Sequence, residues 1–160
     1  MKRLLPLSVL LLLVVAASAA PAATHLLRYA DIHMGQIVFT YENDLWLVDA
    51  AGGAARRLTR HPGTARFAQF SPDGHTIAFT AAYDGGTDVY VMDTRGGEPR
   101  RLTWHPGPDM VLGWHPDGTR VLFRSVREAP MREFETYLID LDGGLPEKLA
   151  IDRGGLASLS

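Results

Sequence analysis

Two histidines raise the first chemical question. His61 and His105 stand 44 residues apart, and each heads a His-Pro-Gly triplet. Imidazole binds metals and carries protons. A metal site needs three or four ligands at suitable spacing, and no carboxylate or third ligand stands so beside either histidine. Their repetition favours a part in shaping the chain. Tyr83, Asp84, Trp104, Arg127 and Glu128 are the other candidate contact residues. They lie in irregular stretches, where binding side chains tend to gather on a rigid scaffold. Trp46 and Trp114 sit in apolar runs and read as packing residues. Arg56-Arg57 and Arg100-Arg101 read as charges that discourage edge pairing, not as a phosphate site. Ser71 precedes a proline, with no base evident beside it. The sequence holds no G-x-S-x-G elbow, H-E-x-x-H, G-x-G-x-x-G or P-loop. No catalytic residue, metal ligand or cofactor-binding residue is therefore assigned within residues 1–160, and no cofactor is expected.

The elements that must position these residues come from a repeat. RFAQFSPDGHTIAF, residues 66–79, returns as MVLGWHPDGTRVLF, residues 110–123. Asp117-Gly118 falls 44 residues after Asp73-Gly74. Three units can be overlaid, over about 26–60, 65–104 and 110–150, and a further unit is expected to begin at about 156. Each holds short apolar runs rich in β-formers, such as Ile37-Val38-Phe39, Ile77-Ala78-Phe79 and Val121-Leu122-Phe123. The runs are near-continuous rather than alternating, as in a sheet covered on both faces. Gly, Asp or Pro bounds nearly every one, which argues against helices.

The turns have their own logic. In Ser71-Pro72-Asp73-Gly74 the proline presets φ, the aspartate takes the next position and the glycine can take positive φ. That describes a type I turn closed by a glycine bulge. Asp49, Asp93 and Asp140 each precede a Gly-Gly pair and are expected to close outer hairpins. Four strands recurring at this period mark a β-propeller blade. The expected fold is all-β: about three four-stranded antiparallel blades and the first strand of a fourth. Propellers have roughly four to eight blades. The chain thus reads as an arc of a ring, and both end faces are expected to be uncovered.

Composition agrees with a turn-rich globular chain: 46% hydrophobic, 21% charged, 16 Gly and 10 Pro in 160 residues. The net charge of −2 carries no basic footprint for nucleic acid. Cysteine is absent, so no disulfide or thiolate site can form. Residues 1–23 read as a signal peptide. Met1-Lys2-Arg3 is basic, residues 4–15 are mostly apolar, and AASAAPAA at 16–23 offers cleavage sites after Ala19 or Ala22. A spanning helix needs about 20 apolar residues. The mature chain is expected to begin near Thr24, in the periplasm or cell envelope.

F-SPDG-x-x-IAF followed by DVYVMD-x-x-GGEPRRLTWHPG resembles the tricorn-type propeller repeat, related to that of TolB. LLRYADIH-x-x-QIVFTYENDLWLVDAAGGAARRLT and the later VLGWHPDG, VLFRS-x-RE and GGLPEKL are similar to the start of tricorn protease homologues. The likeness covers the chain from about Leu26. It implies an N-terminal six-bladed propeller, a second propeller, a PDZ-like domain and a serine peptidase core, with catalytic residues that match no position here. The propeller would gate peptides to and from that core. The implied partners are peptides or unfolded polypeptide and the remaining domains of the same chain, and a homo-oligomer is left open. The exported start departs from the cytosolic archetype and points to envelope peptides. The alternatives are a non-enzymatic TolB-like envelope binding propeller and the propeller of a fused oligopeptidase or amidohydrolase.

Overall fold

The computed structural model describes residues 27–128 and 133–151. The expected signal peptide, the expected start of a further blade near 156 and residues 129–132 of the loop 125–135 lie outside the described residues.

The described chain is all-β. Strands β1 (Arg28–His33), β2 (Gln36–Tyr41), β3 (Asp44–Asp49) and β4 (Arg56–Arg57) form the first sheet, in chain order. β5 (Ala65–Phe70), β6 (Thr76–Ala81), β7 (Asp88–Asp93) and β8 (Arg100–Arg101) form the second. β9 (Asp109–Trp114), β10 (Arg120–Ser125), β11 (Glu135–Asp140) and β12 (Glu147–Lys148) form the third. Every neighbouring pair is antiparallel, as consecutive blades of a propeller require.

The turns follow the local chemistry of their residues. Gly74 takes φ +73° and Gly118 the same value, one repeat later. Ser71 Oγ donates to Asp73 Oδ1 at 2.6 Å, and the same carboxylate oxygen accepts from the His75 amide at 3.0 Å. Ser71 Oγ also accepts from the Thr76 amide at 2.9 Å, so this serine locks a hairpin. Asp49 Oδ1 accepts from the Ala51 amide at 2.8 Å, and Asp93 Oδ1 from the Arg95 amide at 2.7 Å. The first sheet uses tighter turns. Glu42 and Asn43 both adopt positive φ, as a two-residue hairpin of primed type demands.

Apolar side chains hold the sheets face to face. Val38, Leu45, Leu47 and Leu58 of the first sheet pack with Ala68, Phe70, Ile77, Phe79, Tyr90 and Met92 of the second. Ala78, Val89 and Val91 lie among Val111, Val121, Phe123, Tyr137 and Ile139 of the third. Thus alternate residues of β6 and β7 serve two different cores, which is why those strands read as unbroken apolar runs. Polar bonds add register. Thr40 Oγ1 donates to Ala65 O at 3.2 Å, and its counterpart Thr80 Oγ1 accepts from the Val111 amide at 2.9 Å. Trp114 is buried and donates from Nε1 to Gln69 O at 2.9 Å.

The expectation of two open end faces is met in part on the first sheet, where Ile37, Tyr41, Trp46 and Val48 are only half-buried, and is not met at the centre of the third. Leu122 and Leu138 alternate with the residues facing the second sheet, and both are buried. Phe39 of the first sheet is buried as well. Exposed apolar side chains are found instead along β1 and its turn, at Tyr29, Ile32 and Met34.

Candidate functional site

A carboxylate opens the third strand of each sheet. Asp44 is buried at the start of β3, where it accepts from Thr59 Oγ1 at 2.7 Å and pairs with Arg57. Asp88, at the start of β7, is fully buried and pairs with Arg101 Nη2 at 2.7 Å. Thr103 Oγ1 donates to the same carboxyl at 3.4 Å. The two arginines also donate from Nε to the carbonyls of Thr59 and Thr103. In the third sheet the arrangement becomes Glu135 with Lys148, at 2.7 Å. Arg57 and Arg101 therefore do more than charge an edge strand. Each ties the outermost strand to a carboxylate 13 residues earlier in the chain. Arg56 reaches sideways and donates to Thr94 O at 2.8 Å and Arg95 O at 3.0 Å of the next sheet.

The junction of the second and third sheets carries a further charge pair. Asp109 is fully buried, and Arg127 Nη2 donates to its Oδ2 at 2.7 Å. Arg127 also lies over the rings of Phe123 and Tyr137, at 5.0 and 5.1 Å. Burial pushes the Asp88 carboxyl above its ordinary range; the Arg101 charge opposes this and the nearby Asp109 adds to it.

The histidines are turn formers. His61 Nδ1 accepts the Gly63 amide at 3.1 Å, and His105 Nδ1 accepts the Gly107 amide at 2.9 Å. Each triplet thus folds on its own imidazole. A Cβ at Gly63 would stand 2.0 Å from Ala82 O, so only glycine fits that close approach. Among the described residues no cluster of three or more His, Asp or Glu could hold a metal ion.

Three of the expected contact residues meet in one cleft of about 410 Å³. His61, Tyr83 and Asp84 line it together with Thr59, Tyr90, Glu98 and Arg101. The cleft runs along the outer strands, between the first sheet and the second. The His61 and Tyr83 rings pack at 4.0 Å between centroids. Asp84 Oδ2 accepts from Tyr90 Oη at 3.0 Å and faces Arg101 Nη1 at 3.5 Å. The Tyr83 hydroxyl is buried beside the Thr59 hydroxyl. Burial, with the negative charges of Asp44 and Glu98 nearby, pushes the Tyr83 phenol up to about 12.

The other expected residues lie apart from the cleft. Trp104 is exposed, with the Arg101 guanidinium 5.7 Å from its ring. His105 sits against Asp88, to which its amide donates at 3.4 Å. Arg127 is held by Asp109, and Glu128 is exposed, 3.8 Å from Lys148 Nζ. The sequence reading passed over Tyr90, Glu98 and the buried aspartates. One signal was present: Asp, then Arg 13 residues on, then Thr two further, recurs at the repeat distance.

The comparisons with known proteins agree with this geometry. Residues 24–160 match the family model described as the tricorn protease N-terminal beta propeller domain. The curated Tricorn protease homolog 1 of Streptomyces coelicolor is 37% identical over 65 residues, which are 41% of this chain and 6% of that protein. The crystal structure of the tricorn protease superposes with a TM-score of 0.69 at 28% identity, covering 78% of this chain and 13% of that one. A putative TolB from Agrobacterium tumefaciens gives 0.64 at 23% identity, covering 74% of this chain and 43% of that one, and shares the fold. The chain thus spans a small part of the tricorn proteins it matches. It belongs to the tricorn protease N-terminal β-propeller domain family.

Proposed function

We propose that this chain is the N-terminal propeller of an exported tricorn-like serine peptidase. Its part is to scaffold the protein and to gate the access of peptides to a catalytic core beyond residue 160. The observation that carries the reading is the family match over residues 24–160, together with three sheets built as successive blades. The described residues suit a scaffold. Their carboxylates and guanidiniums are largely spent on one another, across strands and between sheets. Peptides or unfolded polypeptide are the substrates in this reading. The basic start and apolar run of residues 1–23 are what supports a location outside the cytoplasm in this reading.

The test is hydrolysis by the full-length protein. An unstructured peptide should be cleaved, and a serine-acylating reagent should abolish cleavage. A full-length protein that binds peptides or envelope proteins and cleaves none would overturn the reading. It would favour a TolB-like binding propeller, the reading that the shared fold supports next.

A further inference from the structure

We propose that Arg101 is a two-position, acid-responsive tie: it holds β8 to the buried Asp88 while that carboxylate is charged, and swings to the exposed Asp84 when a proton neutralises Asp88. The device stands whether or not the full-length protein is a peptidase.

The fork is already set between the two acceptors. Arg101 Nη2 donates to Asp88 Oδ2 at 2.7 Å, and Nη1 faces Asp84 Oδ2 at 3.5 Å. Nε donates to Thr103 O at 2.7 Å, which fixes the base of the fork and leaves its tips to choose. The Asp88 side chain is 0% exposed and that of Asp84 is 59% exposed. Burial penalises the charged form of a carboxylate, and water relieves it. Asp84 Oδ2 also accepts from Tyr90 Oη at 3.0 Å, which leaves Oδ1 for the arriving guanidinium.

Asp88 is poorly served as an anion. Its Oδ1 takes only long contacts, 3.4 Å from Thr103 Oγ1 and 3.4 Å from the His105 amide. The matching oxygen of Asp44 takes Thr59 Oγ1 at 2.7 Å. Asp109 adds a second buried charge nearby, and its Oδ1 has no hydrogen-bond partner. The upward push of burial on the Asp88 carboxyl, opposed by Arg101 and increased by Asp109, agrees with this geometry.

The first sheet has the tie without the switch. Arg57 donates from Nε to Thr59 O and pairs with Asp44, the same two bonds. Its hairpin turns on Glu42 and Asn43 alone, and Asp44 is the one carboxylate that Arg57 pairs with among the described residues. Ala65 stands where the next repeat has Asp109, and Arg60 where it has Trp104. The second sheet therefore adds an alternative acceptor, a neighbouring charge and an exposed indole together. The charged and titratable groups about Asp88 are Arg101 on β8, His105 on the crossing, Asp109 on β9 with its partner Arg127, and Tyr90 and Asp84 on the far side of Arg101. Arg60, His61, Tyr83 and Glu98 line the cleft beyond. In acid the guanidinium closes the carboxylate at the mouth of that cleft. The fold is not weakened, since a neutral Asp88 costs less to bury.

The Trp104 ring reports the move, because it is 67% exposed and the guanidinium lies 5.7 Å from its centre. The experiment follows tryptophan emission of the full-length protein from about pH 8 to about pH 4, and subtracts that of Trp104→Phe to isolate this one indole. The difference should show a step above the ordinary carboxylate value of about pH 4. Asp88→Asn should abolish the step. Asp84→Asn should lose most of it, because the fork then has no second acceptor, while its melting curves keep the pH dependence of Asp88. A parent without the step overturns the proposal. So does a step that survives Asp88→Asn, which would belong to His105, or one undiminished in Asp84→Asn. Where Asp88→Asn fails to fold, Asp84→Asn decides alone.

Discussion

Arg127 and Asp109 form a buried ion pair at 2.7 Å, at the two positions where the preceding repeat has Tyr83 and Ala65. The exchange is matched on both sides. Between the first and second sheets a phenol stands beside a small apolar residue. Between the second and third a guanidinium answers a carboxylate. Tyr83 meets the rings of Phe79 and Tyr90, and Arg127 covers Phe123 and Tyr137, so the two side chains fill the same place against the same kind of wall.

That relationship predicts strong coupling. Asp109→Ala alone strands a guanidinium that is 14% exposed, and Arg127→Tyr alone strands a wholly buried carboxylate. Breaking a buried pair from one side costs about 3–5 kcal/mol. Making both changes rebuilds the Tyr-Ala junction of the preceding repeat and should cost about 2 kcal/mol less than the sum of the single changes. Thermal unfolding of the four full-length proteins checks this. Additive losses would show that the two residues do not act as a pair.

Gly63 should tolerate no side chain. A Cβ there meets the backbone oxygen of Ala82 at 2.0 Å, whereas one at Gly113 meets nothing within 4 Å. Gly63→Ala should destabilise by about 2 kcal/mol or more, through a forced shift of the crossing between sheets. Gly113→Ala should stay within about 0.5 kcal/mol of the parent. Thermal melts of both variants make the comparison. An undisturbed Gly63→Ala would mean that the crossing does not pack against the loop after β6.

Acid should act on the aspartates in opposite senses. The Arg95 guanidinium and the Arg95 amide hold the Asp93 carboxyl well below its ordinary range. The Thr119 amide does the same for Asp117, helped by the Thr119 hydroxyl and His115. A depressed folded-state value gives stability that is full above the ordinary carboxylate range, about pH 4, and is lost as pH falls toward the folded value. Asp88, raised by burial, runs the other way: its share favours the fold at low pH and declines as pH rises through its elevated value. Melting curves of Asp93→Asn should therefore approach those of the parent progressively as pH falls below about 4. Asp88→Asn should remove a component that weakens with rising pH. Carboxyl NMR titrations that place Asp88 below Asp93 would contradict both signs.

The Arg56 clamp should show in stability as well. Its guanidinium holds two carbonyls of the neighbouring sheet, at 2.8 and 3.0 Å. A lysine presents a point charge and cannot reproduce the fork. Arg56→Lys and Arg56→Ala should each cost about 1 kcal/mol, since the group is exposed. A lysine variant that melts with the parent would reduce the clamp to a surface contact.

The sequence made the hairpins plain and left the junctions obscure. Pro72, Asp73 and Gly74 act on backbone within a few residues, so their types announce the turn. The same holds for Asp49 and Asp93. The Asp44–Arg57 and Asp88–Arg101 ties reach across a hairpin, and the arginines looked like edge charges because nothing local shows that their partners are buried. The repeated spacing was the readable trace. The Asp109–Arg127 pair left no such trace, since it breaks the repeat instead of obeying it. Of the cleft, His61, Tyr83 and Asp84 were legible as loop residues. Tyr90 and Glu98 were not, because the cleft exists only once two sheets face each other.

The proposed propeller gate admits loose chain and excludes folded bodies. The most direct measurement compares cleavage of one peptide sequence by the full-length protein in two settings, free in solution and displayed as a loop within a compact folded carrier. Gated access predicts that the free peptide is cut and the displayed loop is spared until the carrier is unfolded. Equal rates on both would contradict it.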